Sequence, residues 1–324
     1  MKDEIILSGM QPTGQLHLGN YEGALKNWVN LQDDYEMYCC IVDWHSLTSD
    51  FDDTEGLKDR IIQMATDFLA AGLDPSKCAI FIQSEVKEHA ELHLLFSMIT
   101  PLSWLERVPS YKDKAKELGL DSYGFLGYPL LQAADILVYR ADKVPVGKDQ
   151  LPHIELTREV ARRFNFLYGD TFPEPKALLT KFPVVPGIDG RKMSKSYEND
   201  IRIADSPEDT AKKLKKMFTD PEKLRRGDAG HPDICPVYAL HKIYTPNHQE
   251  IVQPCESGEL GCVDCKKRLT ENINKTLEPI RQKRSELNNR QDYIMDMLKD
   301  GARRARKRAS AVMEDVRKVM RIDW

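Results

Sequence analysis

The first half of the chain alternates short apolar runs with helical patterns, and this alternation strongly restricts the possible folds. Three apolar runs are predicted to be buried strands, at residues 4–8, 37–43 and 78–83. Between them, residues 18–31 and 55–71 have the apolar spacing of helices. Strands that are connected through helices lie parallel in one sheet, so the pattern predicts an α/β fold.

The remaining chain is predicted to be mostly helical. One more strand is expected at residues 144–146, and helices are expected at residues 102–106, 111–118, 126–139 and 151–164. A loop rich in glycine and proline then covers residues 169–197, and the chain is charged and helical after residue 206. This change of character predicts two domains, residues 1–200 and residues 201–324.

Length and composition indicate a globular protein. The 324 residues are 41% hydrophobic and 30% charged, which allows a substantial buried core. The amino terminus is unlike a signal peptide, and no stretch reaches the roughly 20 apolar residues of a membrane helix. We therefore expect a soluble, cytoplasmic protein with no membrane partner. Its formal net charge of −4 means that any RNA contact depends on a local basic surface.

The loop after the first predicted strand has the features of a phosphate-binding turn. It runs from Gly9 to Asn20 and leads into the first predicted helix, where backbone N–H groups at the edge of a parallel sheet bind anions. Gly14 allows a tight turn, Gly19 allows close approach of a ligand, and His17 can donate to phosphate charge. Taken alone, the stretch also fits an ordinary turn between a strand and a helix.

A second loop combines two lysines with residues that permit movement. Lys192 and Lys195 stand on either side of Ser194, after glycines at positions 187 and 190. Such a loop can close over a triphosphate and stabilise the leaving pyrophosphate. The alternative is a basic loop that only meets solvent.

Together the two loops resemble the two signatures of class I aminoacyl-tRNA synthetases. The stretch from His17 to Asn20 resembles their "HIGH" element with Asn in the last place, and residues 192–196 match their "KMSKS" element in full. Segments 8–14, 41–45, 144–150 and 153–158 are similar to the tryptophanyl members, and the resemblance is close over residues 4–200. It implies a Rossmann-like catalytic domain followed by an α-helical anticodon-binding domain.

The resemblance implies a tryptophan–tRNA ligase reaction in two steps. L-Tryptophan reacts with ATP to give tryptophanyl-adenylate and pyrophosphate, and tryptophan is then transferred to tRNA(Trp). Neither step requires a nucleophile from the protein, so catalysis is expected from positioning and charge stabilisation. Mg²⁺ is expected to accompany ATP without a dedicated protein site. The resemblance also implies a homodimer.

Three groups of site residues follow from the resemblance. The residues that stabilise charge during catalysis are His17, Lys112, Lys192 and Lys195. The residues that bind ATP are Gln11, Pro12, Thr13, Gly19, Asn20, Gly147, Lys148, Asp149, Val184 or its neighbour Val185, Lys192, Met193, Ser194, Lys195 and Ser196. The residues that bind tryptophan are Ser8, Gly9, His45, Tyr128, Gln132, Asp135 and Gln150. Without the resemblance, Lys112 also fits an exposed helical lysine, and His45 a satisfied histidine at a strand end.

The choice of amino acid depends on the predicted helix at residues 126–139. Gln132 and Asp135 lie on one helical face, where a buried carboxylate needs a donor such as an indole N–H or a phenol O–H. Without the resemblance, an aspartate that is bonded within the protein fits equally well. In tryptophanyl enzymes the position of Asp135 accepts the indole N–H. Many of these carry Met at the position of Gln132, whereas tyrosyl enzymes carry Gln with the same Asp. Ala134 and residues 147–150 favour tryptophan.

Three other functions stay open at this point. A tyrosyl-tRNA synthetase would use the same aspartate. A non-catalytic synthetase-like module that binds RNA or protein would have lost the loop lysines, but Lys192 and Lys195 are both present. A different nucleotidyl transferase on the same fold would form an adenylate without tRNA.

Four of the seven cysteines lie close together in the second half of the chain. They are Cys235, Cys255, Cys262 and Cys265. Four thiolates form a complete ligand set for a [4Fe–4S] cluster or for structural zinc. The resemblance favours the cluster, because some bacterial tryptophanyl synthetases carry a similar set, although with a longer first gap. The other three lie in predicted strands and are expected to be core residues: Cys39, Cys40 and Cys78.

The end of the chain is basic. Residues 301–324 carry eight Lys or Arg against three acidic residues. The charged face of a helix here can contact tRNA phosphates, or the helix can dock its apolar side on the core. The sequence alone does not separate these alternatives.

Overall fold

A computed structural model describes residues 4–109, 111, 121–179, 184–225 and 227–324. Within these ranges, five parallel strands form one sheet in the order β3-β2-β1-β4-β5. The strands are β1 Ile5–Met10, β2 Glu36–Ile41, β3 Cys78–Ile82, β4 Lys143–Val146 and β5 Lys176–Leu179. The predicted α/β fold with a Rossmann-like parallel sheet is therefore confirmed. Strand order reverses at β1, and the crevice at the carboxyl end of such a strand is where ligands bind in this kind of sheet.

Helices connect the strands and make up most of the second half. In the first half they are α1 Leu18–Asn20, α2 Lys26–Leu31, α3 Asp43–Leu47, α4 Leu57–Ala70, α5 Glu88–Ser97, α6 Leu102–Glu106, α7 Tyr123–Leu137 and α8 Leu151–Tyr168. In the second half they are α9 Pro207–Lys216, α10 Pro236–Tyr244, α11 Val252–Glu256, α12 Cys262–Asn288 and α13 Gln291–Met320. Of the helices in the described ranges, none combines the length and apolar character of a membrane span.

Most predicted elements of the first half are confirmed, with boundaries that differ by a few residues. The helix predicted at residues 18–31 is continuous, since a π-helical turn at Tyr21–Leu25 joins α1 to α2. The segment predicted as one loop from residue 169 to 197 contains β5, which is too short and too exposed to show a strand pattern. Helix α5 was not predicted. Of the helix predicted at residues 111–118, only Tyr111 lies within the described residues.

The central strands bury both faces, as their apolar sequences predict. Alternate residues such as Ile6 and Ile80 pack into a core with α4 and α12, whereas Leu7 and Phe81 face α5, α7 and α8. Three strand cysteines are at most 1% exposed, which confirms their prediction as core residues: Cys39, Cys40 and Cys78.

The basic helix α13 docks on the parallel sheet. Its Gly301 lies so close to β3 that a Cβ atom would collide with the backbone of Ile80. Arg304 and Arg308 donate hydrogen bonds to the backbone oxygens of Cys78 and Tyr139, at 2.9 and 3.2 Å. Of the two alternatives for this segment, the structure therefore establishes docking, which places several arginines against carbonyl groups of the first half.

Candidate active site

The first signature lies where β1 ends and helix α1 begins. His17 is the N-cap residue of α1, and its Nδ1 accepts a hydrogen bond from the backbone N–H of Asn20 at 3.2 Å. The Asn20 side chain accepts the His17 backbone N–H in return, which completes a capping box. A Cβ atom on Gly19 would lie 2.9 Å from the imidazole, so glycine is needed for this close packing.

The same contacts determine the chemistry of the His17 side chain. Burial, followed by the charge of Lys195, lowers the pKa of His17 to about 4, so the imidazole is neutral at pH 7. Because Nδ1 accepts a hydrogen bond, the ring proton sits on Nε2. His17 can therefore donate one hydrogen bond to phosphate without carrying a charge of its own.

Backbone pairing brings the second signature against the first. Leu18 N–H donates to the Ile201 carbonyl, and Ile203 N–H donates to the Leu16 carbonyl, both at 2.9 Å. The Asn199 side chain accepts the backbone N–H of Ser194 at 2.8 Å, which holds the lysine-rich loop next to these backbone pairs. The chain thus crosses back over the start of α1 immediately after its lysine-rich loop.

Two cavities open at this edge of the sheet. One, of about 470 Å³, lies between the two signatures. It is lined by seven residues predicted to bind or act on ATP: Pro12, Thr13, His17, Asn20, Ser194, Lys195 and Ser196. Asp50, Asp53 and Arg60 also line it and were not predicted. Arg60 stands in the first turn of α4, where sequence spacing alone does not distinguish it from an exposed helical arginine.

The second cavity, of about 450 Å³, lies beside the carboxyl end of β1 and has the size of a small-molecule site. All seven residues predicted to bind tryptophan line it: Ser8, Gly9, His45, Tyr128, Gln132, Asp135 and Gln150. Three residues predicted to serve ATP also reach it: Gln11, Asp149 and Lys192. Five further lining residues were not predicted: Leu7, Val42, Ile136, Val144 and His153. The binding role of each residue stays a prediction.

The other predicted residues lie around these cavities or outside the described ranges. Gly147 and Lys148 form the turn after β4. The Met193 side chain is only 3% exposed and packs in the core, whereas Val184 is 59% exposed and lines a separate groove. Lys112, the predicted third cation, lies outside the described residues.

Asp135 lines the second cavity, which we call the amino-acid cavity, and three side chains bond its carboxylate. One carboxylate oxygen, Oδ2, lies 2.8 Å from His45 Nε2. The other, Oδ1, lies 2.7 Å from His89 Nδ1 and accepts the Gln83 amide N–H at 2.7 Å. Burial raises the pKa of Asp135, but the adjoining His45 and His89 outweigh it and hold that pKa well below its usual range. The group is therefore an ionised acceptor, and both imidazoles donate to it.

The four late cysteines are neighbours in space, but they do not form a ready ligand set. Burial, followed by the charges of the other three thiols, raises the pKa of Cys265 to about 12. Its Sγ lies 3.3 Å from His241 Nε2. Within the described ranges, no group of three His, Cys, Asp or Glu side chains has the arrangement of a metal site. The predicted cluster thus receives no geometric support.

The facing signatures on a parallel sheet define the catalytic unit of a class I aminoacyl-tRNA synthetase, and sequence comparison agrees. The family model "tRNA synthetases class I (W and Y)" matches residues 2–278, so the chain belongs to this family.

Its relatives lie on the tryptophan branch. The chain is 48% identical over 324 residues to the tryptophan–tRNA ligase of Thermotoga maritima, with 98% of this chain and 99% of the relative covered. It is 45% identical over 392 aligned positions to that of Aquifex aeolicus, with the same coverage. The crystal structure of tryptophanyl-tRNA synthetase from Campylobacter jejuni complexed with ADP and tryptophan superposes with a TM-score of 0.87 at 37% identity, covering 98% and 99% of the two chains. Within the family, the chain thus groups with the bacterial tryptophan–tRNA ligases.

Proposed function

We propose that this chain activates L-tryptophan with ATP to form tryptophanyl-adenylate and pyrophosphate, and then transfers tryptophan to tRNA(Trp). The observation that carries this proposal is the ionised carboxylate of Asp135 beside the cavity, and the tryptophan–tRNA ligase relatives favour tryptophan over tyrosine. A carboxylate offers about four acceptor positions. Three are used by His45, His89 and Gln83, which leaves one on Oδ2, beside the cavity, for a single donor. An indole N–H is such a donor, and so is a phenol O–H.

The first step needs no covalent intermediate with the protein. The tryptophan carboxylate attacks the α-phosphorus of ATP in line, a P–O bond to the β-phosphate breaks, and pyrophosphate leaves with the bonding electrons. Mg²⁺ enters bound to ATP. His17 donates through Nε2 to the phosphates, while Lys192 and Lys195 stabilise the charge on the leaving pyrophosphate. Lys112 is assigned to the same task by resemblance.

The second step uses the adenylate formed in the first. A ribose hydroxyl of the tRNA terminus attacks the activated carbonyl and releases AMP. We assign anticodon contacts to the helical part, residues 201–324, and propose that the protein works as a homodimer. A cytoplasmic location is supported by the cysteines, since all seven lie in the described ranges and none forms a disulfide.

ATP–pyrophosphate exchange tests the proposed activity. We expect exchange that depends on tryptophan, followed by charging of tRNA(Trp). Exchange supported by tyrosine and not by tryptophan would establish a tyrosyl-tRNA synthetase. Exchange without charging would favour another nucleotidyl transferase. If neither tryptophan nor tyrosine supports adenylate formation, a non-catalytic binding module would be favoured.

We further propose that the four-cysteine group binds a metal, with a [4Fe–4S] cluster preferred to zinc. The thiols influence one another electrostatically, and burial with these neighbours also raises the pKa of Cys255. Thiols bind metal as thiolates, so loading releases protons and draws the four together. Protein purified without oxygen is expected to contain about four irons per chain. About one zinc would identify a structural clip instead, and absence of both metals would contradict the proposal.

A further inference from the structure

The side of Asp135 that faces away from the cavity is held by a buried series of hydrogen bonds from Gln83, His89 and Tyr139, which we call the relay. Oδ1 meets His89 and Gln83, which are both fully buried and do not line the cavity. Oδ2 meets His45, which does line it. The two carboxylate oxygens are therefore divided between the protein interior and the amino-acid cavity.

A second contact of His89 extends this relay by one residue. Because Asp135 is an ionised acceptor, Nδ1 of His89 carries a proton. Nε2 of the same ring lies 2.7 Å from the Tyr139 hydroxyl, within hydrogen-bond distance. Burial raises the pKa of Tyr139, so the phenol keeps its proton. The series of hydrogen bonds thus runs from Tyr139 through His89 to Asp135.

The far end of the relay is fixed by packing on the sheet. The Tyr139 ring is fully buried and stacks on Tyr38 of β2, with 4.5 Å between ring centroids. It also packs edge-on against Phe81 of β3. Its backbone oxygen accepts a hydrogen bond from Arg308 of α13. Tyr139 therefore has no freedom to follow Asp135 if that carboxylate rotates.

We propose that His89 and Tyr139 are positioning residues that hold Asp135 with Oδ2 towards the cavity, and that they thereby set the preference for an amino acid with an indole N–H. The inference rests on the proposed function. Neither residue reaches the cavity, so each acts through Asp135. Removal of the relay lets the carboxylate rotate, which lowers kcat/KM for substrates that donate a hydrogen bond to Oδ2.

Two substrates that differ in one donor make the test specific. L-Tryptophan carries the N–H, whereas β-(benzothiophen-3-yl)alanine has sulfur in its place and a similar shape. The ratio of their kcat/KM values in ATP–pyrophosphate exchange measures what the donor contributes. In Tyr139→Phe we expect this ratio to fall at least about fivefold, with the KM for ATP unchanged. Tyr38→Phe is the matched control, because its hydroxyl bonds Glu36 and not the relay, and it should keep the wild-type ratio.

A second pair of variants separates positioning from packing. His89→Gln keeps an amide that can bond both Asp135 and Tyr139, whereas His89→Leu removes both bonds at similar volume. We expect the Gln variant to lie closer to the wild-type ratio than the Leu variant. An unchanged ratio in both Tyr139→Phe and His89→Leu, or an equal loss for the two substrates, would overturn the inference. Failure of the wild-type protein to use tryptophan would instead count against the proposed function.

Discussion

Lys195 Nζ donates a hydrogen bond to the backbone oxygen of Thr13 at 2.6 Å, across 182 residues of sequence. A second contact, at 3.1 Å, reaches the Thr13 hydroxyl. The pair joins the two signature loops beside the cavity between them, which both residues line. Burial, followed by the charge of Arg202, lowers the pKa of Lys195 to about 8. The amine is thus held in place where a triphosphate would add a stronger acceptor.

Loss of this amine should slow chemistry and spare amino-acid binding. In Lys195→Ala we expect adenylate formation to slow by about 100- to 1,000-fold, because a donor to developing charge is removed. Tryptophan affinity should stay within about twofold, since Lys195 does not line that cavity. Rapid-quench kinetics and equilibrium binding measure the two quantities. Lys212→Ala, which removes an exposed lysine on α9, is the control. Unchanged activation kinetics would refute the assigned role.

The lowered pKa of Lys195 predicts a pH dependence. The cation is present below about pH 8 and is lost as pH rises through that value, so kcat/KM for ATP should fall on the alkaline side. Lys195→Arg keeps its charge over this range and should remove the alkaline decline. The measurement is the pH profile of pyrophosphate exchange for both proteins. A flat wild-type profile up to about pH 9.5 would contradict the prediction.

The two carboxylates that line the amino-acid cavity, Asp135 and Asp149, should affect different substrates. Asp135→Asn weakens the acceptor for the indole, so we expect the KM for tryptophan to rise about 10- to 100-fold with little change for ATP. Asp149→Asn is the matched comparison, because this acid lies 3.8 Å from Lys192 and is predicted to serve ATP. It should affect the KM for ATP instead. The same defect pattern in both variants would argue against the two assignments.

A buried ion pair ties helix α12 to the first signature. Arg284 Nε donates to Asp67 Oδ1 at 2.6 Å, and Asp67 Oδ2 accepts the backbone N–H of Leu16 at 2.7 Å. Arg284→Met would leave Asp67 buried without its partner, so we expect the free energy of unfolding to fall by about 3–5 kcal/mol. Lys283→Met, at an exposed position of the same helix, should stay within about 0.5 kcal/mol. Denaturant titration compares the two, and equal stability would contradict the prediction.

The structure also indicates which predictions local patterns support well. The apolar runs around Ile6, Cys39 and Ile80 predicted buried parallel strands correctly, because a strand that is buried on both faces appears in the sequence as a short continuous apolar run. Strand β5 shows no such pattern, since its four residues are intermediate or exposed and, within the described ranges, β4 is their strand partner. Its existence depends on a neighbour that lies far away in sequence.

The sequence by itself determined four of the five strands in the described ranges, most of the helices that connect them and the two signature loops, because short-range spacing controls both helix and strand formation and the turn around His17. Only the tertiary structure decided that Lys195 meets Thr13, that the cysteine side chains do not form a ready ligand set within the described ranges, and that α13 docks on β3. It also decided that His89 and Gln83 share Asp135. The physical reason is that such contacts join residues from separate elements, and their distances depend on how whole helices pack against the sheet, which no local pattern records.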